Sequence, residues 1–172
     1  MATGKMSTKK LTTLSLFTTL SLAVYAAESL IPPLLPIPGI KLGLSNIITL
    51  VLLHRFSAKD AALVLTARVL LCTLLFGHAM SLLYSVAGGV CSLLAMYGIC
   101  RILRRQYLFL AGAVGGLIHN LAQLSVAYLL TATVGVLSYA PFLCLSGILT
   151  GLFTGLCALF GCRHLPSQLS GQ

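Results

Sequence analysis

An all-α integral membrane bundle of six helices, with both termini cytoplasmic, is the fold class this sequence predicts. Three observations carry the prediction. Of the 172 residues 58% are hydrophobic and only 8% charged, where a soluble domain usually has about 25% charged residues to cover its surface. The mean hydropathy is +1.03. The apolar residues gather into six runs, and the Lys and Arg residues fall in alternate gaps between them.

The runs lie at about 11 to 31, 40 to 53, 61 to 76, 80 to 100, 107 to 130 and 139 to 161. At 1.5 Å per helical residue the first spans roughly 31 Å, enough for a bilayer core, and the second roughly 21 Å, so its flanks must help it across. Between the second and third, HRFSAKD makes a short polar turn, and RILRRQ separates the fourth from the fifth. The domain organisation expected is a cytoplasmic tail at 1–10, a membrane domain at 11–162 and a cytoplasmic tail at 163–172, both tails free to be disordered. Cytoplasmic loops carry the excess of Lys and Arg. With the N-terminus inside, Lys5, Lys9, Lys10, Arg55, Lys59, Arg101, Arg104, Arg105 and Arg163 share one side, nine of the eleven basic residues. Lys41 lies on the other side and Arg68 within a helix. The small residues of VYA before Ala27 resemble a signal-peptide cleavage site, but cleavage would leave five spans and break this alternation.

The net charge of +9 does not point to nucleic acid, because no basic patch with interleaved aromatics is present. The six cysteines, Cys72, Cys91, Cys100, Cys144, Cys157 and Cys162, form no CxxC pair and lack neighbouring acid or His ligands. They read as small apolar packing residues, and no metal site is expected.

Topology converts position into depth. Glu28 sits about 10 Å beyond the centre of the first helix, toward the outside. Arg68 is near the middle of the third. His119 and Asn120 lie near the midplane on the fifth helix, with Gln123 about 6 Å further out. Asn46 is in the first turns of the second helix, and Lys41 and His78 are at the outer rim. The polar groups thus collect in the outer half of the membrane, where an ionisable side chain costs about 2.5 to 3.5 kcal/mol and marks a site or an internal pair. Glu28 and Arg68 read either as a structural pair or as part of a site. The group in HNLAQ presents donors and acceptors on neighbouring faces of one helix. Tyr84, Tyr97 and Tyr128 read as packing aromatics. From Glu28 to Asn46 the chain runs ESLIPPLLPIPGIKLGLSN, with four of the six prolines. Prolines restrict φ and remove donors, which stiffens such a segment, and Gly39 offers a hinge.

Small residues make a second pattern. Ser15, Thr19, Ala23 and Ala27 recur every four residues along the first helix, a stripe that another helix can approach closely, inside or outside the bundle. GAVGG in the fifth helix and GILTGLFTG in the sixth suit packing within the bundle.

The run IPGIKLGLSNIITL, the stretch RVLLCTLLFG followed by SLLYSVAGG, and IHNLAQL resemble the heptaprenyl diphosphate synthase component I family, also labelled Gx transporter, over about residues 10 to 162. That family is related to the S components of energy-coupling factor (ECF) vitamin transporters. The resemblance implies an S component-like bundle that captures a small molecule from outside, under a lid formed by the loop between the first two helices. Here the lid would be Pro32 to Lys41. It further implies a membrane T subunit and two ATPase subunits as partners, ATP being used by those subunits and no cofactor being bound by this chain. AVYAA at Ala23 to Ala27 is similar to the AxxxA pattern by which S components dock on the T subunit, making Ala23, Ala27 and Thr19 the expected partner contacts.

The residues arbitrate between the two labels. A prenyl diphosphate synthase needs aspartate-rich motifs to hold Mg²⁺ against a diphosphate. This chain has one Asp, Asp60, and one Glu, Glu28, and no GxxxxGK[ST], so no enzyme activity is expected of it. The expected role is a substrate-binding subunit in the bacterial cytoplasmic membrane, using Glu28, Asn46, Arg68, His119, Asn120 and Gln123, with Lys41 as a lid contact. Two other classes stay open: a non-catalytic assembly or anchoring protein of an isoprenoid, quinone or redox pathway, and, with less in its favour because no internal repeat is visible, a secondary transporter or channel.

Overall fold

A computed structural model of the protein describes residues 7–30, 41–76, 79–103 and 107–164. Six α-helices follow one another: α1 Thr8–Ser29, α2 Asn46–Arg55, α3 Ala58–Phe76, α4 Ala79–Ile102, α5 Leu108–Thr131 and α6 Ala140–His164. A 3-10 turn at Val134–Tyr139 joins α5 to α6, and no strand occurs among the described residues. In lipid the backbone must satisfy its own hydrogen bonds, and the helix does so within one segment. Hydroxyls follow the same logic: those of Thr13, Thr18, Thr73 and Thr131 each donate to the carbonyl four residues back.

Helix ends are set by local chemistry. Ser57 and Asp60 bond reciprocally at the start of α3, the Asp60 N–H donating to Ser57 Oγ and the Ser57 N–H to Asp60 Oδ2, both at 3.2 Å. This is a capping box, and it makes HRFSAKD a turn. Pro141 occupies the first turn of α6, where a missing N–H costs nothing. α5 stops at Ala132, whose φ of 49° is left-handed.

Four stretches are long and apolar enough to cross a membrane: Thr8–Ser29, Met80–Ile102, Leu108–Thr131 and Val134–His164. The protein is therefore a multi-pass membrane protein. α3 has the length, at 19 residues, but carries Lys59, Asp60 and Arg68. The second helix falls short of its apolar run. α2 has 10 residues, about 15 Å, and cannot span by itself. The reason lies in residues 41–45, which are not helical and enter the bundle as irregular backbone before α2 begins. α1 starts at Thr8 and α6 ends at His164, so both helices reach into the segments expected as tails.

α2 is the centre of the bundle. α3, α4, α5 and α6 all pack on it, and α1 lies outside against α3. Seven of its residues are buried, Leu50 and Leu52 completely. The two halves of the bundle are filled differently. The half nearer Asp60 is apolar, with Leu14 and Phe17 of α1, Leu50 to Leu53 of α2, Val64 and Leu65 of α3, Met96 of α4 and Ala158 of α6 in one cluster. α5 and α6 meet backbone to backbone: a Cβ on Gly112 would lie 2.2 Å from the Gly151 carbonyl oxygen, and one on Gly116 the same distance from that of Gly147. The glycines of GAVGG and GILTGLFTG thus pack inside the bundle, as their spacing predicts. Cys72 and Cys162 are buried, but Cys91 lies exposed on α4, so the reading of all six cysteines as packing residues fails there.

Candidate functional site

The other half of the bundle holds most of the buried polar side chains, arranged around the irregular segment 41–45. Glu28, near the end of α1, is 5% exposed. Its Oε1 accepts the Gly43 N–H at 2.8 Å and its Oε2 the Leu44 N–H at 3.1 Å. These donors have no helical partner, and a carboxylate is the strongest acceptor available for them. Gly43 has φ +81°, a conformation that suits glycine and turns the chain into α2. On the far side of the segment the Lys41 N–H donates to Gln123 Oε1 of α5 at 3.2 Å. The Lys41 ammonium lies 3.4 Å above the ring centroid of Tyr25 and donates to Ser29 Oγ. The Tyr25 hydroxyl meets Ser81 Oγ of α4 at 2.9 Å. Segment 41–45 is therefore pinned to α1 at one side and α5 at the other.

Below it lies a second layer. Arg68 is 3% exposed, and its Nη1 donates to Ser45 Oγ. Asn46 Nδ2 donates to Ser92 Oγ of α4 at 3.2 Å. The His119 ring stands between Gly43 and Gly88: a Cβ on Gly88 would lie 2.8 Å from its Cε1, and one on Gly43 would lie 3.0 Å from its Cδ2 and equally close to Asn46 Nδ2. Neither ring nitrogen of His119 meets a partner in good hydrogen-bond geometry, the Gly88 backbone being within interaction range, although the residue is buried. Asn120 turns toward α6, its Nδ2 donating to the Leu143 carbonyl at 2.9 Å and to Ser146 Oγ at 3.3 Å, while its Oδ1 is left unpaired. Buried polar atoms without partners are rare and costly. Here three fall on two adjacent residues.

Of the seven residues expected at this site, Lys41 and Asn46 bound the segment 41–46, and Glu28, Arg68, His119 and Gln123 pack against it. Asn120 sits beside His119 but spends its amide on α6. Glu28 and Arg68 make no ion pair at contact distance, each taking a hydrogen-bond partner from segment 41–45, but their charges still act on one another. The proposed lid, Pro32 to Lys41, lies outside the described residues except for Lys41, and His78 lies outside them too. Tyr84 is buried, whereas Tyr97 and Tyr128 are exposed. Sequence reading missed Tyr25, Ser45, Gly88 and Ser92. Gly88 left a signal, since two adjacent glycines in mid-helix disfavour the helix by about 1 kcal/mol each and persist for a packing or functional reason. A lone serine on an apolar helix gives none.

Among the described residues no three His, Cys, Asp or Glu side chains gather as a metal ion would require. The site offers hydrogen bonds and charge.

The sequence matches the family described as heptaprenyl diphosphate synthase component I over residues 17–160. The chain belongs to that family. No curated protein and no solved structure matches it. The matched region of the component I protein runs from Phe17 in α1 to Phe160 in α6, so it takes in every residue of the polar cluster.

Proposed function

We propose that this component I protein is a substrate-binding membrane subunit, S component-like, of an ECF-type uptake transporter. It captures a small organic molecule at the Glu28 end of the bundle, which the distribution of Lys and Arg puts outside the cell. The observation that carries this reading is the buried His119 ring, set against Gly43 and Gly88 with neither nitrogen in good hydrogen-bond geometry, together with the unpaired Oδ1 of the adjacent Asn120. A bundle braced only by its polar groups would pair those atoms. A binding site keeps them for a ligand. Lifting segment 41–45 would open the way, and its ties to α1 and α5 are hydrogen bonds that can break and re-form.

The stripe on α1 supports a partner in the membrane. Ser15, Thr19, Ala23 and Ala27 are all exposed, while Thr13, Leu14, Phe17, Ser21, Tyr25 and Glu28 form the face that packs inward. The small-residue face is thus free for a T subunit, which with two ATPase subunits would supply the ATP-driven step. The chain, with two acidic residues and no phosphate-binding loop, has no means of its own to hydrolyse ATP or to hold the metal ions of a prenyl transfer.

The test is copurification from the native bacterial membrane followed by mass spectrometry. A T protein and ATPases should come with the chain, and a small molecule should stay bound after mild detergent extraction. The family description favours one other reading, a non-catalytic subunit that anchors or assembles a prenyl diphosphate synthase. Recovery of a synthase catalytic subunit, with no ATPase and no small molecule, would decide for it.

A further inference from the structure

The buried cluster is short of negative charge. The chain has two acidic residues, and Asp60 is at the opposite end of the bundle, 2.8 Å from the Lys10 ammonium. Glu28 is the only carboxylate on the cluster's side, and both its oxygens accept backbone N–H groups. Lys41 stands over Tyr25 at the rim, close enough for its charge to act on Glu28. Arg68 is left deeper, buried, with the neutral Ser45 hydroxyl as its partner. Glu28 can balance one of the two cations and not both, and His119 in either charge state cannot reduce the excess. A guanidinium in a low-dielectric interior is costly unless an anion neutralises it. Of the groups whose charge acts on it, Cys72, Glu28 and Tyr25, only Glu28 is a carboxylate, and Lys41 shares it.

We infer that the ligand of this site is a singly charged organic anion. Its acidic group takes the place of Ser45 Oγ at Arg68, where a carboxylate can accept two parallel N–H bonds. Its uncharged part pairs with the His119 ring and donates to Asn120 Oδ1. Gly88 leaves space on α4 for the His119 ring, since a Cβ there would come 2.8 Å from its Cε1, whereas a Cβ on Gly89 would crowd Leu65 Cδ1 at 2.9 Å and only touch Arg68 Nη2 at 3.5 Å. The inference rests on the substrate-binding reading and narrows it to a chemical class.

A double-mutant cycle on the ligand-free full-length protein in detergent tests the charge deficit without knowledge of the ligand. Ser45→Asp supplies the missing carboxylate, and Ser45→Asn supplies a side chain of the same size without the charge. Asp should raise the unfolding midpoint above Asn by about 3 °C or more, and the advantage should vanish in an Arg68→Met background. An equal midpoint for the two variants, or an advantage that survives loss of Arg68, overturns the inference. The compound released from the wild-type protein is then identified, and an acid ionised at neutral pH is expected. A neutral or cationic compound overturns the anion assignment alone, whereas absence of any bound compound overturns the substrate-binding reading on which it stands.

Discussion

Glu28 and Gly43 are joined by a 2.8 Å hydrogen bond from the Gly43 N–H to the Glu28 carboxylate, across fifteen residues of chain. With the Leu44 N–H on the second oxygen, it holds irregular backbone inside a membrane bundle, where unpaired donors are not tolerated. Glu28→Gln keeps the shape but turns one acceptor into a donor that faces an N–H. The expected loss is about 1 to 3 kcal/mol, read as a lower unfolding midpoint with faster hydrogen exchange at Gly43 and Leu44. Unaltered exchange at those two amides in a folded Glu28→Gln protein would count against the clamp.

Depth arithmetic from the sequence put Glu28, Asn46, Arg68, His119, Asn120 and Gln123 toward one end of the bundle, and all but Asn120 gather on residues 41–46. Helix rise fixes height, which is why that much was legible. The partner of each was not, because it depends on residues 41–45 abandoning the helix and on which way each side chain turns. The apolar run 40–53 hid the irregular residues 41–45, because Leu42 and Leu44 carry its apolar character without a break into the helix that follows. Glu28 therefore read as a possible mate for Arg68, when its oxygens belong to Gly43 and Leu44. The glycines of α5 and α6 were legible because a four-residue repeat keeps one face small whatever the neighbours are.

Two glycines of α4 should respond in opposite ways to alanine. At Gly88 the added Cβ would come 2.8 Å from His119 Cε1, whereas at Gly98 nothing lies within 4 Å. Gly88→Ala should displace the imidazole and cost about 1 to 3 kcal/mol, with ligand retention falling at least tenfold. Gly98→Ala should leave retention unchanged and stabilise by up to about 1 kcal/mol, since glycine disfavours a helix interior. Equal retention in the two purified variants would remove His119 from the site.

The ion pair between Lys10 and Asp60 ties the start of α1 to the polar first turn of α3. Burial raises the affinity of the Asp60 carboxyl for a proton, but the bonds from Lys10 and Ser57 outweigh it and hold the group below its ordinary value of 3.8. A carboxyl depressed in the folded state stabilises fully above its unfolded value, and that contribution is lost as pH falls through the folded one. Stability should therefore be flat from neutrality down to about pH 5 on this account and decline below about pH 4. Asp60→Asn should flatten the decline and lower the midpoint at pH 7. An acid limb of the same steepness in the variant would assign the acid loss to another group.

The exposed stripe on α1 separates binding from transport. Ala23 and Ala27 are exposed and Glu28 is buried, so bulk added at the two alanines is directed away from the described bundle. Ala23→Leu with Ala27→Leu should change stability by no more than about 0.5 kcal/mol, as surface substitutions do, and should leave the retained small molecule in place. In a partner interface the same methyl groups would hold two helix backbones apart, because small-xxx-small contacts depend on close approach. Uptake by cells carrying the double variant should fall at least tenfold, with loss of the copurifying T subunit. Thr19→Leu should act in the same direction, one turn further along the stripe. Normal uptake in a double variant that reaches the membrane in normal amount would mean that this face meets lipid alone, and that any energising partner docks elsewhere on the bundle.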